Sequence, residues 1–151
     1  MQEIVKLLDK NLKYIGYEIK DDGIHIQVKS KRKSIKCPEC GENSKKIHSR
    51  YRRVVQDLPI GDKKVYIEIT SRKMFCRNAE CSRKTFAESY GFVEANRKKT
   101  IRLEQAIVSI GMNMGSMAAA QTLRRNTVKI CGRTVRNLIK KTLPEESPKK
   151  I

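Results

Sequence analysis

Cys37, Cys40, Cys76 and Cys81 form two pairs, C-P-E-C and C-x4-C, and these are the residues of this chain whose spacing points most directly to chemistry. Two thiolates separated by two residues sit on one tight turn with both sulfurs facing a common point. A second pair further along can complete a tetrahedron around Zn²⁺. Four thiolates fill the coordination shell and leave no position for a catalytic water, so the chemistry expected is structural. Four thiolates on one divalent ion carry a local charge of about −2. Lys36, Arg77, Arg83 and Lys84 flank the ligands and can offset it. Four ordinary reduced thiols or an iron–sulfur cluster are the competing readings, and the basic, aromatic-poor setting favours zinc over the cluster. His48 is a substitute ligand in principle but is expected on the ribbon surface or against a phosphate. Cys131 stands apart and is expected to be a small buried hydrophobe. His25 is placed on the polar face of a hairpin with no special role. Nothing else resembles a catalytic set: there is no Gly-rich phosphate loop, the chain has 2 histidines, and its 16 carboxylates are scattered.

These residues lie in a strongly basic chain. The 151 residues include 34 Lys and Arg against 16 Asp and Glu, a formal net charge of +18. That balance suits a polyanion, with DNA or RNA foremost. No run approaches the roughly 18 apolar residues that span a bilayer, and the N-terminus lacks the charged-then-apolar pattern of a signal peptide. The expected location is the cytosol, where thiols stay reduced and bind metal rather than pair as disulfides. Hydrophobic residues make up 38% of the chain, too modest a share for a single large core.

The elements that must position the cysteines read as strands. Residues 1–10 fit a short helix with Ile4, Leu7 and Leu8 on one side. Ile15, Tyr17 and Ile19 then alternate with polar residues, as do Ile24, Ile26 and Val28, on either side of an Asp22-Gly23 turn; this is a hairpin pattern. Two further strands are expected at residues 49–55 and 65–69, separated by a turn at Asp57-Leu58-Pro59-Ile60-Gly61. The second of them runs on towards Cys76. A strand that delivers its end to the metal is the ribbon arrangement.

From residue 96 the period changes. Thr100 can cap a helix bearing Leu103, Ala106, Ile107 and Ile110, which the stretch from Gly111 to Gly115 should break. Ser116 can cap a second helix with Met117, Ala120 and Leu123 inward. Residues 124–131 read as a turn, and a third helix over 132–142 carries Val135, Leu138 and Ile139 on one face before Leu143-Pro144 stops it. Three short helices with a tight second connection form the helix-turn-helix pattern. Residues 95–141 hold eleven Lys or Arg and one acidic residue, Glu104. On the third helix Arg133, Thr134, Arg136, Asn137, Lys140 and Lys141 lie away from the apolar face. Arg suits guanine O6 and N7, Asn suits adenine, and Lys and Thr suit phosphates. Arg124 and Arg125 are expected to grip the backbone beside it, and Arg97, Lys98, Lys99 and Arg102 form a second cluster. A solvated cationic face without a ligand is the bland alternative.

The order of several motifs resembles a known family. Cys37-Pro38-Glu39-Cys40-Gly41, Ile47-His48-Ser49-Arg50-Tyr51, Asp57-Leu58-Pro59, Arg72-Lys73-Met74-Phe75-Cys76 and the run from Cys81 to Glu88 are similar to the N-terminal part of insertion-sequence transposases of the ISL-three group. The resemblance implies a zinc-binding ribbon, then a helix-turn-helix, then a ribonuclease H-like catalytic domain that cuts and joins DNA. Ser147-Pro148-Lys149-Lys150-Ile151 is similar to the approach to that last domain, whose carboxylates are not in this sequence. The expectation is therefore an α+β chain: a β-hairpin and zinc-ribbon domain over 1–95, a three-helix DNA-binding domain over 96–143, and a linker over 144–151. The expected function is non-catalytic recognition of transposon terminal inverted repeats in double-stranded DNA. A second copy of the chain is a further expected partner; a membrane and a small-molecule substrate are not. A repressor derived from a transposase and a protein-interaction module are the alternatives.

Overall fold

The computed structural model describes residues 1–142, so the expected stop at Leu143-Pro144 and the linker lie outside the described residues. The fold is α+β. Helix α1 spans Gln2–Leu8, followed by strands β1 Leu12–Lys20, β2 Gly23–Ser30, β3 Ile35–Lys36, β4 Asn43–Ser44, β5 Ile47–Ile60, β6 Lys63–Phe75 and β7 Thr85–Ala87. Helices α2 Ile101–Met114, α3 Ser116–Asn126 and α4 Gly132–Thr142 complete it. The main sheet runs β1-β2-β6-β5 and is mixed: β2 lies parallel to β6, and the other pairs are antiparallel. β7 takes over beside the end of β6 where β2 stops. β3 and β4 make a separate small ladder.

β5 and β6 are 14 and 13 residues long, far beyond the segments that alternation marks. Their turn is Gly61-Asp62, set by the Ile60↔Lys63 pair, and not the Asp57 to Gly61 stretch. A register shift between Asp57 and Ile60 absorbs Pro59, which has no N–H for the ladder. The first hairpin turns at Asp21-Asp22, one residue earlier than expected. Gly23 is already in β2, and a Cβ there would stand 2.3 Å from the Lys64 carbonyl oxygen. The glycine thus serves the close approach of β6.

Three apolar clusters organise the described residues. Under the sheet lie Val5, Leu12, Ile26, Val28, Val55, Val65, Ile67 and Ile69, closed by Tyr90, Phe92 and Val93. Val5 is the buried residue of α1, whereas Ile4 and Leu7 are exposed, contrary to the periodicity. Ile15, Tyr17 and Ile19 are also exposed, because α1 covers only the Leu12 end of edge strand β1. The helices have their own cluster around Leu103, Ile107, Ala120, Leu123, Val128 and Val135, and Leu58 of β5 packs against it. Here α2 runs straight through Gly111. A Cβ at Gly111 would lie 2.7 Å from Val135 Cγ1, so this glycine lets α4 approach α2. The break comes at Gly115, whose φ of 81° is open to glycine. Gly115, and not Ser116, is the N-cap of α3. Met117 is exposed, and Ala119 takes the inward place beside Ala120. Thr100 caps α2 as expected, its hydroxyl accepting from the Leu103 N–H.

Candidate metal centre and basic surface

The third cluster is small, with Ile35, Cys37, Met74 and Phe86 buried and Ile47, Cys76 and Cys81 packed on it. Two knuckles meet above it. In the first, β3 pairs with β4 and the Gly41 N–H donates to the Cys37 carbonyl (2.9 Å), with Gly41 at φ 75°. In the second, Cys76 follows directly on β6, and its N–H donates to the Lys84 carbonyl (2.8 Å) just before β7. Asn78 folds the intervening loop: its side-chain oxygen accepts from the Glu80 N–H and its carbonyl from the Cys81 N–H.

The four sulfurs lie within 4.8 Å of one another. Cys37 and Cys81 are 3.9 Å apart, and Cys40 and Cys76 are 3.7 Å apart. Zn–S bonds of about 2.3 Å in a tetrahedron place sulfurs about 3.8 Å apart. A disulfide needs about 2.05 Å. The donor set therefore fits a structural Zn²⁺. The Cys40 N–H, with help from that of Glu39, draws the Cys37 thiol down to about 7. The Asn78 N–H favours the Cys76 thiolate too, but burial and the crowding thiols Cys40, Cys37 and Cys81 outweigh it and push Cys76 up to about 12. Four thiolates in so small a space require a cation among them. Nearby, Arg83 pairs with Glu39 at 3.5 Å. His48 lies outside the sulfur set, exposed and edge-on to Phe75 (4.8 Å between centroids).

His25 is not the idle surface residue expected. It is 6% exposed and bridges Glu68 (Nδ1 to Oε1, 2.8 Å) and Asp22 (Nε2 to Oδ1, 2.8 Å), stacked on Tyr66. Burial pushes the Glu68 carboxyl up, but the His25 hydrogen bond and the Arg52 charge outweigh it and hold it below its ordinary value. Alternation could place His25 on the polar face but could not show that β6 would bring a carboxylate to it.

The basic residues fall into distinct environments. On α4, Arg133, Arg136, Asn137 and Lys140 are exposed at i, i+3, i+4 and i+7, a single stripe opposite Val135 and Leu138. Thr134 is half-buried, with its hydroxyl 3.3 Å from Cys131 Sγ. Lys141 is tied to Glu94 at 2.5 Å, and Arg97 meets the same carboxylate at 3.6 Å. The Lys141 hydrogen bond is the main reason that the Glu94 carboxyl lies below its ordinary range. Arg102 is bound to the buried Asp57, its Nε donating to Oδ1 at 2.7 Å while Thr100 Oγ1 donates to the same oxygen at 2.8 Å. Arg124 Nε donates to the Ile130 carbonyl (2.7 Å) and so pins the turn between α3 and α4. Arg125, Lys98 and Lys99 make no ion pair among the described residues. Cys131 is exposed, not buried: Val128 and Ile130 of the extended turn point inward, which sends Lys129 and Cys131 out.

The fold and the donor set define a four-cysteine zinc ribbon. Residues 33–81, about a third of the chain, match the family model for the zinc-finger of transposase IS204/IS1001/IS1096/IS1165. The resemblance to ISL-three-group transposases is thereby supported for the ribbon. A search of curated proteins and one of solved structures found no match. No described helix is long and apolar enough to cross a membrane.

Proposed function

We propose that this chain is a zinc-stabilised, non-catalytic DNA-binding unit of transposase type that recognises the terminal inverted repeats of its element. In this reading residues 1–95 form the ribbon-bearing scaffold and 96–143 a helix-turn-helix. α3 and α4 are its two-helix motif, and α4 enters the major groove of duplex DNA. The observation that carries the reading is the α4 stripe. Arg133, Arg136, Asn137 and Lys140 face solvent together, on a helix fixed from behind by Val135 and Leu138, so four groups suited to bases and phosphates are held on a rigid support. Arg102 and Arg124, exposed on the same unit, also brace it, since their guanidinium groups are engaged by Asp57 and the Ile130 carbonyl. The closed four-sulfur shell offers no site for water activation and so supports a structural role for the metal.

The test is a competition between duplex carrying the element's ends and a scrambled duplex of the same composition. Arg136→Ala is expected to lose about 1–3 kcal/mol of discrimination, and Lys140→Gln to weaken both duplexes alike. Equal affinity of the unmodified protein for both duplexes at physiological salt rules out sequence recognition by α4.

A second copy of the chain is a further partner that one observation favours. Residues 1–22 hold five acidic and four basic residues, in a chain whose formal charge is +18. They also present Ile15, Tyr17 and Ile19 on edge strand β1. Two such cationic bodies repel one another except across this neutral, apolar edge. Sedimentation equilibrium is expected to show self-association that Tyr17→Lys abolishes; a monomer at every concentration excludes it.

A further inference from the structure

Residues 98–100 extend the outer edge of β5. The Gln56 N–H donates to the Lys98 carbonyl (2.8 Å), and the Thr100 N–H donates to the Gln56 carbonyl (2.9 Å). The Gln56 side chain then reaches across and donates to the Thr127 carbonyl in the α3–α4 turn (2.6 Å). The first two bonds fix residues 98–100 to β5 and the third holds the turn beside them, with a cleft of about 450 Å³ between these segments. Lys64, Lys98, Lys99 and Lys129 line it, together with Gln56 and Tyr66, and no carboxylate does. Lys64 and Lys99 are half-buried. Among the described residues the lysine ion pairs belong to Lys20 and Lys141, so none of these four ammonium groups has an acidic partner.

Exposed lysines commonly splay apart in water. Lys64 and Lys99, half-buried in the cleft wall, are more confined, and no carboxylate lines the cleft to neutralise them. Four ammonium groups drawn from the β5–β6 hairpin, the segment before α2 and the α3–α4 turn suit an anion that is extended and repeats its charge. Lysine holds phosphate as a point charge, and phosphate contacts position a duplex without reading its sequence. Tyr66, stacked on His25, forms part of the same wall. The cleft also adjoins the amino end of α4, because Lys129 lies only four residues before Arg133.

We infer that this cleft is a phosphodiester track, in which Lys64, Lys98, Lys99 and Lys129 hold the backbone of the duplex that α4 contacts. The inference rests on the DNA-binding reading above and extends it. Sequence alone marks Lys98 and Lys99, whereas Lys64 on the hairpin and Lys129 in the turn become part of one site only through the fold.

The experiment is the salt dependence of binding by the full, zinc-loaded chain, read by fluorescence anisotropy on a random-sequence duplex and on the terminal-repeat duplex. Removing one lysine that neutralises a phosphate lowers the slope of log K against log salt by about 0.9 in magnitude. The double variant Lys64→Gln/Lys129→Gln is expected to lower it by about 1.8, equally on both duplexes. Lys6→Gln/Lys10→Gln, with the same charge change on and beside α1, is the control and should leave the slope nearly unchanged. Equal slopes for the two variants overturn the inference, as does binding of polyglutamate in place of either duplex. If the slope falls as expected while Arg136→Ala leaves discrimination intact, the α4 reading fails and the cleft stands. If neither duplex binds at low salt, both fail.

Discussion

The thiol of Cys131 is drawn down to about 7, first by the Thr134 hydroxyl and then by the N–H groups of Thr134 and Arg133 at the start of α4. It is exposed, and it is the one cysteine outside the sulfur cluster. Thiolate, not thiol, is the nucleophile. With zinc bound, iodoacetamide should therefore modify Cys131 ahead of the four ligands, at a rate rising between about pH 6 and 8. Thr134→Val should slow the reaction at neutral pH by removing the first donor. Peptide mapping after a short pulse checks this, and labelling of Cys37 or Cys40 as fast as Cys131 contradicts it. The metal ligands were legible from sequence because each pair is local and a two- or four-residue gap suffices to bring its sulfurs together. The environment of Cys131 was not, because it depends on which way the turn between α3 and α4 alternates. The same limit applies to His25, whose carboxylate partner arrives from β6, 43 residues away, and to the Asp57 clasp on Thr100 and Arg102, which joins a strand to a helix start.

Elements were legible where one periodicity ran without interruption. The bounds of α4 follow from Val135, Leu138 and Ile139, and the Thr100 cap from its place before an apolar helical pattern. Glycine misled where its role is packing. Gly111 reads as a breaker in sequence, yet it lies within α2, where its missing side chain admits Val135 and Ile139 of α4. Gly111→Val should therefore destabilise the helical unit by about 1–3 kcal/mol through overpacking, despite valine's better helix propensity. It should also displace α4 and weaken binding to every duplex, because the α4 stripe moves as a body. Thermal unfolding of the variant, with anisotropy on a random duplex, measures both effects; unchanged stability would mean that the two helices separate at no cost. The strands show a complementary limit. Ile15, Tyr17 and Ile19 alternate as a buried strand should, but alternation fixes only which residues share a face. Whether anything covers that face is decided by α1, which is too short to reach them.

At the scale of the whole molecule, stability is divided among three clusters that differ in what holds them. The sheet cluster and the helical cluster each bury about ten residues or more and are joined by Leu58 and the Asp57 clasp. The ribbon cluster buries four. Four buried side chains contribute about 1.5–3 kcal/mol each, while each ordered backbone residue costs about 1–2 kcal/mol in entropy. Two knuckles and their loops cannot be ordered on that basis, whereas structural zinc supplies on the order of 10 kcal/mol in small zinc domains. Net charge and cysteine spacing reveal that such a scaffold exists, but not that its metal end is energetically separate from the helices, since this follows from which side chains meet in space. Chelation of the metal should therefore unfold the ribbon alone. Hydrogen exchange should rise sharply in β3, β4, β7 and the adjoining ends of β5 and β6, while α2, α3 and α4 keep their protection and the helical circular dichroism persists. Random-sequence duplex binding should then survive in large part, because α4 and the lysine cleft draw on the helical unit and the distal half of the β5–β6 hairpin. Loss of helical signal in step with zinc would mean that the ion supports the entire chain. Unchanged exchange at the knuckles would mean that the cysteines need no metal to hold their turns.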